Sequence, residues 1–392
     1  MLRLISKFTI TQIPTIAFPN RSETYTFNFV NSCVINSSWQ NLTDTAKLIF
    51  PKKIYFINSQ GQKVNWDGKN TSGQSSLPPL ILRGDKIKIE LGYIYPTAFN
   101  SEVKEINEEF DGYISKIGSN IPIEIECEDK MFVLKQKKLP NKVYKSSEYD
   151  VQKMVREMLD MFPETAGITL VTGTATSQTI STKIEDFRTM EDSIGSVLDR
   201  LKKEARIYCY FRGNELRCSG IVYYPSDRIG YNFVFQKNIV SNNLEYKRTD
   251  DIVLGAKAYS INKVELESTN SSGNKKTKRK RLETFVGRKE GEIRTLYFYG
   301  VETESKLKAL AEQELRKFYY TGYTGDFTTF GLPSVKHGDE AILRDSILPE
   351  RNGGYLIKGV EKTFDVTNGF KQKIMLHLKL DQFDNSTINA GL

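Results

Sequence analysis

Arg83-Gly84-Asp85-Lys86-Ile87-Lys88-Ile89-Glu90-Leu91-Gly92-Tyr93 is followed by Phe110-Asp111-Gly112-Tyr113-Ile114-Ser115-Lys116-Ile117 and by Ile121-Pro122-Ile123-Glu124-Ile125-Glu126-Cys127. Each piece reads as a strand. Ile87, Ile89 and Leu91 alternate with Lys86, Lys88 and Glu90, and Ile121, Ile123, Ile125 and Cys127 alternate with Pro122, Glu124 and Glu126, giving one apolar and one charged face. A sheet with one wet face is the expected result. The charged face places Glu124 and Glu126 opposite Lys86 and Lys88 on a neighbouring strand.

The same pattern returns near the C-terminus. Gly338-Asp339 precedes Ala341-Ile342-Leu343, and Gly354-Tyr355-Leu356-Ile357-Lys358-Gly359-Val360 echoes Gly112-Tyr113-Ile114-Ser115-Lys116-Ile117. After Asn368-Gly369, a two-residue hairpin signal, Ile374, Leu376, Leu378 and Leu380 alternate with Met375, His377 and Lys379. Two similar β domains in one chain are expected, mainly β with α+β parts.

Between them the texture changes. After Ser147-x-x-Asp150, Val151, Met154, Val155, Met158, Leu159 and Phe162 make one helical stripe; a second follows Thr189-x-x-Asp192, through Ile194, Val197, Leu198, Leu201 and Ala205. With the strand Ile207–Phe211 and a return through Leu216 and Cys218, residues 140–230 form a small α/β module. The boundaries are therefore 1–139 for the first β domain, with a loop excursion at 59–79 rich in Gly, Ser, Asn and Gln; 140–230 for the module; 231–382 for the second β domain, with a helix at 304–319; and a flexible tail at 383–392.

A chain of 392 residues is long for one core, and its composition, 39% hydrophobic and 27% charged, is that of an ordinary soluble protein. No apolar run is long enough to span a bilayer, so no membrane insertion is expected, and no signal peptide is evident. Cys33, Cys127, Cys209 and Cys218 lack metal-site spacing and read as buried thiols, with a Cys209–Cys218 disulfide as the minor alternative. Part of the net charge of +8 sits in Lys275, Lys276, Lys278, Arg279, Lys280 and Arg281, which we place on a protruding loop at 270–282 as a candidate polyanion contact.

Catalytic signals are thin. The two histidines, His337 and His377, read as turn and surface residues, and no phosphate-binding loop, nucleophile elbow or zinc-helix motif occurs. Arg83-Gly84-Asp85 matches an adhesion tripeptide but leads into a strand, where a turn is the simpler account. No catalytic residue, cofactor or metal site is assigned.

Ser38-Trp39-Gln40-Asn41-Leu42-Thr43-Asp44-Thr45-Ala46 with Leu48-Ile49-Phe50-Pro51, then Gly84-Asp85, Leu91-Gly92-Tyr93, Phe110-Asp111-Gly112-Tyr113-Ile114 and Glu126-Cys127-Glu128-Asp129, resemble the baseplate hub proteins of contractile phage tails and their late-control and type VI secretion relatives. Phe330-Gly331-Leu332-Pro333, Gly338-Asp339 and Gly353-Gly354-Tyr355-Leu356-Ile357 resemble the same family's closing barrel, so the resemblance spans about 1–380. It implies that the two β domains are tube-like barrels and that a homotrimer sets six of them in a ring. Such a ring would join a hexameric tail tube protein to a trimeric central spike protein, touch other baseplate proteins, and surround a lumen through which DNA passes. The implied location is the virion, after assembly in the bacterial cytoplasm, and the implied role is structural, not enzymatic. The competing reading is a nucleic-acid-binding protein using residues 275–281, with a hydrolase third.

Overall fold

The computed structural model describes residues 3–66, 79–96, 101–172, 186–205, 207–219, 228–269, 275–299, 301, 303–316 and 318–380. The first part holds β1 (Arg3–Thr11), β2 (Thr24–Phe27), β3 (Ser32–Ser38), β4 (Thr45–Ile49), β5 (Ile54–Ile57), β6 (Lys63–Trp66), β7 (Lys86–Pro96), β8 (Glu102–Ile117) and β9 (Glu124–Glu128). The module follows, with α1 (Met131–Leu134), β10 (Lys142–Tyr144), α2 (Val151–Asp160), β11 (Thr169–Val171), β12 (Phe187–Thr189), α3 (Ile194–Ala205), β13 (Tyr208–Arg212) and β14 (Glu215–Ser219). The remainder comprises β15 (Gly230–Val234), β16 (Ile239–Lys247), β17 (Leu254–Thr269), β18 (Lys275–Gly287), β19 (Glu292–Tyr299), α4 (Glu304–Arg316), β20 (Gly322–Phe330), β21 (Glu340–Arg344), β22 (Gly353–Asp365) and β23 (Gly369–Lys379).

The alternation in the opening stretch becomes burial. Ile87, Ile89, Leu91, Ile114, Ile125 and Cys127 are all within 1% of full burial, joining Phe8, Phe27, Phe50 and Phe56 in one core. Covering each such side chain contributes about 1.5–3 kcal/mol. The wet face carries ion pairs, although not the expected ones: Lys88 pairs with Glu108 at 2.7 Å, Glu124 with Lys47 at 2.8 Å and Glu126 with Lys116 at 3.0 Å. β9 lies between β4 and β8, so its glutamates never face β7. Exposed pairs of this kind contribute about 0–1 kcal/mol each, and burial decides the fold.

The two β domains are parts of one sheet of 15 strands, in the order β16-β20-β23-β22-β3-β4-β9-β8-β7-β1-β2-β5-β6, with β21 and β15 continuing from β22. Two separate closed barrels were expected; the path is open. The reason lies in β22, whose one edge takes β21 along 353–356 and β3 along 359–365. The repeat itself is stronger than the sequence indicates. The series β3-β4-β9-β8-β7-β1 matches β16-β20-β23-β22-β21-β15 strand for strand and in chain order. One difference stands out: β1 runs antiparallel to β7, whereas β15 runs parallel to β21.

Several local expectations shift. The hairpin at Asn368-Gly369 is a three-residue loop, because Asp365 pairs with Gly369; the Asp365 carboxylate accepts from the Thr367 and Asn368 amides, and Gly369 takes φ +76°. The loop expected at 59–79 begins with a strand, β6, paired to β5, while 67–78 lie outside the described residues, as does the tail 383–392. Residues 275–282, expected as loop, are strand: β18 pairs with β17 through Lys275. Strands β17, β18 and β19 with α4 form their own sheet and core, inserted between β16 and β20.

In the module, Val151, Met154, Val155, Met158 and Leu159 of α2 share one core with Ile194, Val197, Leu198 and Leu201 of α3, all nearly fully buried. Asp150 itself caps α2, accepting from the Lys153 amide at 2.7 Å, and the Ser193 hydroxyl accepts from the Ser196 amide at the start of α3. Cys209 and Cys218 face each other across β13 and β14 as free thiols, and all four cysteines are buried and unbonded. Burial holds the Cys33 thiol far above its usual range. A thiol reagent applied to the native chain is therefore expected to label none of the four, and to label all four after denaturation; rapid native labelling would contradict this packing.

Candidate functional site

The two Gly-Asp turns hold the repeat in hydrogen-bonding detail. Gly84 and Gly338 take φ +95° and +86°, conformations that favour glycine. The Gly84 amide donates to the Ile114 carbonyl and the Ile114 amide to the Asp85 carbonyl; the Gly338 amide donates to Ile357 and the Ile357 amide to Asp339. Ile114 thus corresponds to Ile357, one residue away from the alignment suggested by the two Gly-Tyr pairs. Each aspartate also accepts an amide three residues back, Leu82 at 2.7 Å and Lys336 at 2.9 Å.

Each aspartate then takes an arginine from elsewhere. Asp85 is held by both Nη atoms of Arg21, at 2.9 and 2.6 Å, in a pair almost without exposure. Arg21 also donates to the Ile13, Pro79 and Leu80 carbonyls, so its buried charge is fully satisfied. This burial removes Asp85 from any adhesion role. Asp339 is held by Arg212 of β13 at 2.8 Å, which fastens the module to the second half-sheet.

The seam between the half-sheets is β3 on β22, seven antiparallel residue pairs from Ser38↔Gly359 to Ser32↔Asp365. The Ser38 hydroxyl donates across it to the Lys358 carbonyl at 3.0 Å. Alternation on β22 buries Val360, Lys362 and Phe364 in turn, which places a lysine in the core. Its partner is Glu109. β8 bulges against β7 between Glu108 and Phe110, turning Glu109 inward, and the two charged groups form an ion pair with side chains 6% and 0% exposed. Ser334 completes the group, donating to Glu109 at 2.9 Å and accepting from Lys362 at 2.7 Å. Burial pushes the Lys362 ammonium below its usual lysine value, and Glu109 opposes that shift. Phe364 and Phe370 extend into the core of the first half-sheet, and the Tyr93 hydroxyl donates to the Phe370 carbonyl.

A polar pocket of about 90 Å³ opens beside this seam, among Asp44, Glu109, Asp129, Arg212, His337 and Lys362. His337 is 3% exposed, with its ring edge-on to Tyr210 and Nε2 at 3.6 Å from Asp44, so the expected turn-surface role gives way to a packed one. His377 packs edge-on against Trp39, which also meets Tyr208. His337 thus meets the module directly, whereas His377 reaches it through Trp39. Among the described residues no cluster of His, Cys, Asp or Glu has metal-binding geometry. The basic residues lie elsewhere: Lys275, Lys276, Lys278, Arg279, Lys280 and Arg281 occupy β18, away from the seam. Of these, the Arg281 side chain is placed over the Tyr259 ring at 4.0 Å.

The seam was hidden from sequence reasoning because β3 and β22 are more than 300 residues apart. The available signals were a lysine alternating with Val360 and Phe364 and a glutamate beside buried Phe110. Replacing one buried partner strands the other, at a cost of about 3–5 kcal/mol. Lys362→Met or Glu109→Leu is each expected to lose that much in chemical unfolding, while the double variant recovers most of it; additive losses would contradict a paired site.

No family model matches the sequence, and neither does any curated protein. Solved structures do. A tail protein from Neisseria meningitidis MC58 superposes with TM-score 0.57 at 10% identity, covering 95% of this chain and 96% of that one. The 43 kDa tail protein of prophage MuSo2 from Shewanella oneidensis gives 0.54 at 12%, covering 95% and 98%. The Francisella PdpA-VgrG complex, half-lidded, gives 0.50 at 9%, with 96% of this chain covering 58% of that one. The resemblance to phage tail proteins holds at the level of fold, along almost the whole length of this chain.

Proposed function

We propose that the chain is a structural, non-enzymatic hub of a phage tail or related injection machine, in which three copies form a ring that joins a hexameric tail tube to a trimeric spike. The observation that carries this reading is the repeat and its unequal edges. In the first half-sheet, β3 spends its outer edge on β22 of the second. The counterpart strand, β16, pairs with β20 on one side and with no other strand among the described residues. A head-to-tail contact used once inside the chain and left open at the matching edge is what a closed ring of copies requires. Two half-sheets per chain and three chains make a ring of six similar units, matched to sixfold and threefold neighbours at once.

In this reading the open edge meets the next copy, and the charged sheet face meets the tube, the spike, other baseplate proteins or the lumen through which DNA passes. The chain then resides in the virion after assembly in the bacterial cytoplasm. The occurrence of a fold neighbour in the Francisella PdpA-VgrG complex supports contact with a spike-type partner. Light scattering at working concentration is expected to give three times the 44.8 kDa chain mass. Val240, 46% exposed on β16, is suited to test the edge: Val240→Glu is expected to weaken the trimer at least tenfold without unfolding the chain. A species that stays monomeric with tube and spike proteins added would contradict the proposal.

A further inference from the structure

We propose that the β17–β18 hairpin is a nucleic-acid-binding arm that grips the phosphate backbone; this does not depend on the ring. β19 pairs with β17 only as far as Ile261↔Tyr299, and beyond that β17 and β18 continue as a two-stranded ribbon from Asn262↔Lys280 to Thr269↔Lys275. Six of the seven positions 275–281 are cationic. A strand rises about 3.3 Å per residue, so these seven positions span about 20 Å, the axial length of roughly six nucleotides of one DNA strand. Cross-strand register adds Lys263, opposite Arg279. The acids of this stretch, Glu265, Glu267 and Glu283, leave it strongly positive.

A second, independent observation lies at the base of the ribbon. Ala256 and Ala258 of β17 are buried, facing α4, and the alternate residue Tyr259 lies on the open side. There Tyr259 stacks on Tyr297 with centroids 5.7 Å apart, Tyr297 is 55% exposed, and the Arg281 guanidinium covers the Tyr259 ring. A cationic ladder ending on an exposed aromatic platform suits phosphates along the ribbon and a base stacked on Tyr297. An anionic membrane is the poorer fit, because residues 262–280 offer only Val264 and Leu266 as large apolar side chains to enter it.

The test is fluorescence anisotropy of the full chain with a 30-base-pair duplex and a 30-nucleotide single strand between 50 and 200 mM NaCl. Six phosphate contacts predict that wild-type affinity falls about a thousandfold across that range. Changing Lys275, Lys276, Lys278, Arg279, Lys280 and Arg281 together to Gln is expected to cut affinity at least a hundredfold at 50 mM and to flatten the salt dependence. Should that variant misfold, Lys276→Gln with Lys278→Gln and Lys280→Gln is expected to halve the salt slope. Tyr297→Ala is expected to weaken the single strand at least fivefold and to spare the duplex. No binding at 50 mM, an unchanged salt slope in both charge variants, or tighter binding to vesicles containing phosphatidylserine than to DNA would overturn the arm; equal losses for both DNAs in Tyr297→Ala would overturn the platform. Light scattering of the same variants separates failure of the arm from failure of the ring.

Discussion

The structure depends on one strand pairing, β3 against β22, and on the charge that this pairing buries. Seven residue pairs join the half-sheets, and Lys362, forced inward by the alternation of β22, meets Glu109, forced inward by a bulge in β8. A lysine in a core is tolerable only with a counter-charge and further hydrogen bonds, which Glu109 and Ser334 supply from opposite sides of the seam. A slip of one residue in the seam would move Lys362 to the wet face and leave Glu109 alone in an apolar surrounding.

The rest of the arrangement follows from that fixed join. The two Gly-Asp turns start matching meanders, and each aspartate is used as an anchor: Asp85 holds Arg21 and the N-terminal segment, and Asp339 holds Arg212 of the module. Tyr210 against His337, and Trp39 between Tyr208 and His377, complete the contact of module with half-sheets. The seam spends one edge of the repeat and leaves the equivalent edge at β16 unpaired among the described strands, which connects a hydrogen-bond pattern inside one chain to a proposal about its copies.

Local order was legible in the sequence. Period-two alternation at Lys86–Leu91 and Ile374–Leu380, and helical stripes through Val151–Leu159 and Ile194–Leu201, became buried faces as read. The fold class and the internal repeat could be read from them. The join could not, because no local pattern records that β3 meets a strand more than 300 residues away. Polar residues hide for the same reason: Asp85, Glu109, His337 and Lys362 carry no local mark of burial, which a distant partner supplies. The basic run reads as loop from its flank Ser271-Ser272-Gly273, whereas its backbone pairs with β17 from Lys275 onward.

Hydrogen exchange on the full chain, read residue by residue, tests the central claim that the seam makes one cooperative unit of the two half-sheets. The account predicts that amides 32–38 of β3 and 359–365 of β22 exchange slowly and at a common rate, with the β8 and β9 core. Exchange of 359–365 with the second half-sheet alone, while β3 stays protected in the first, would contradict it.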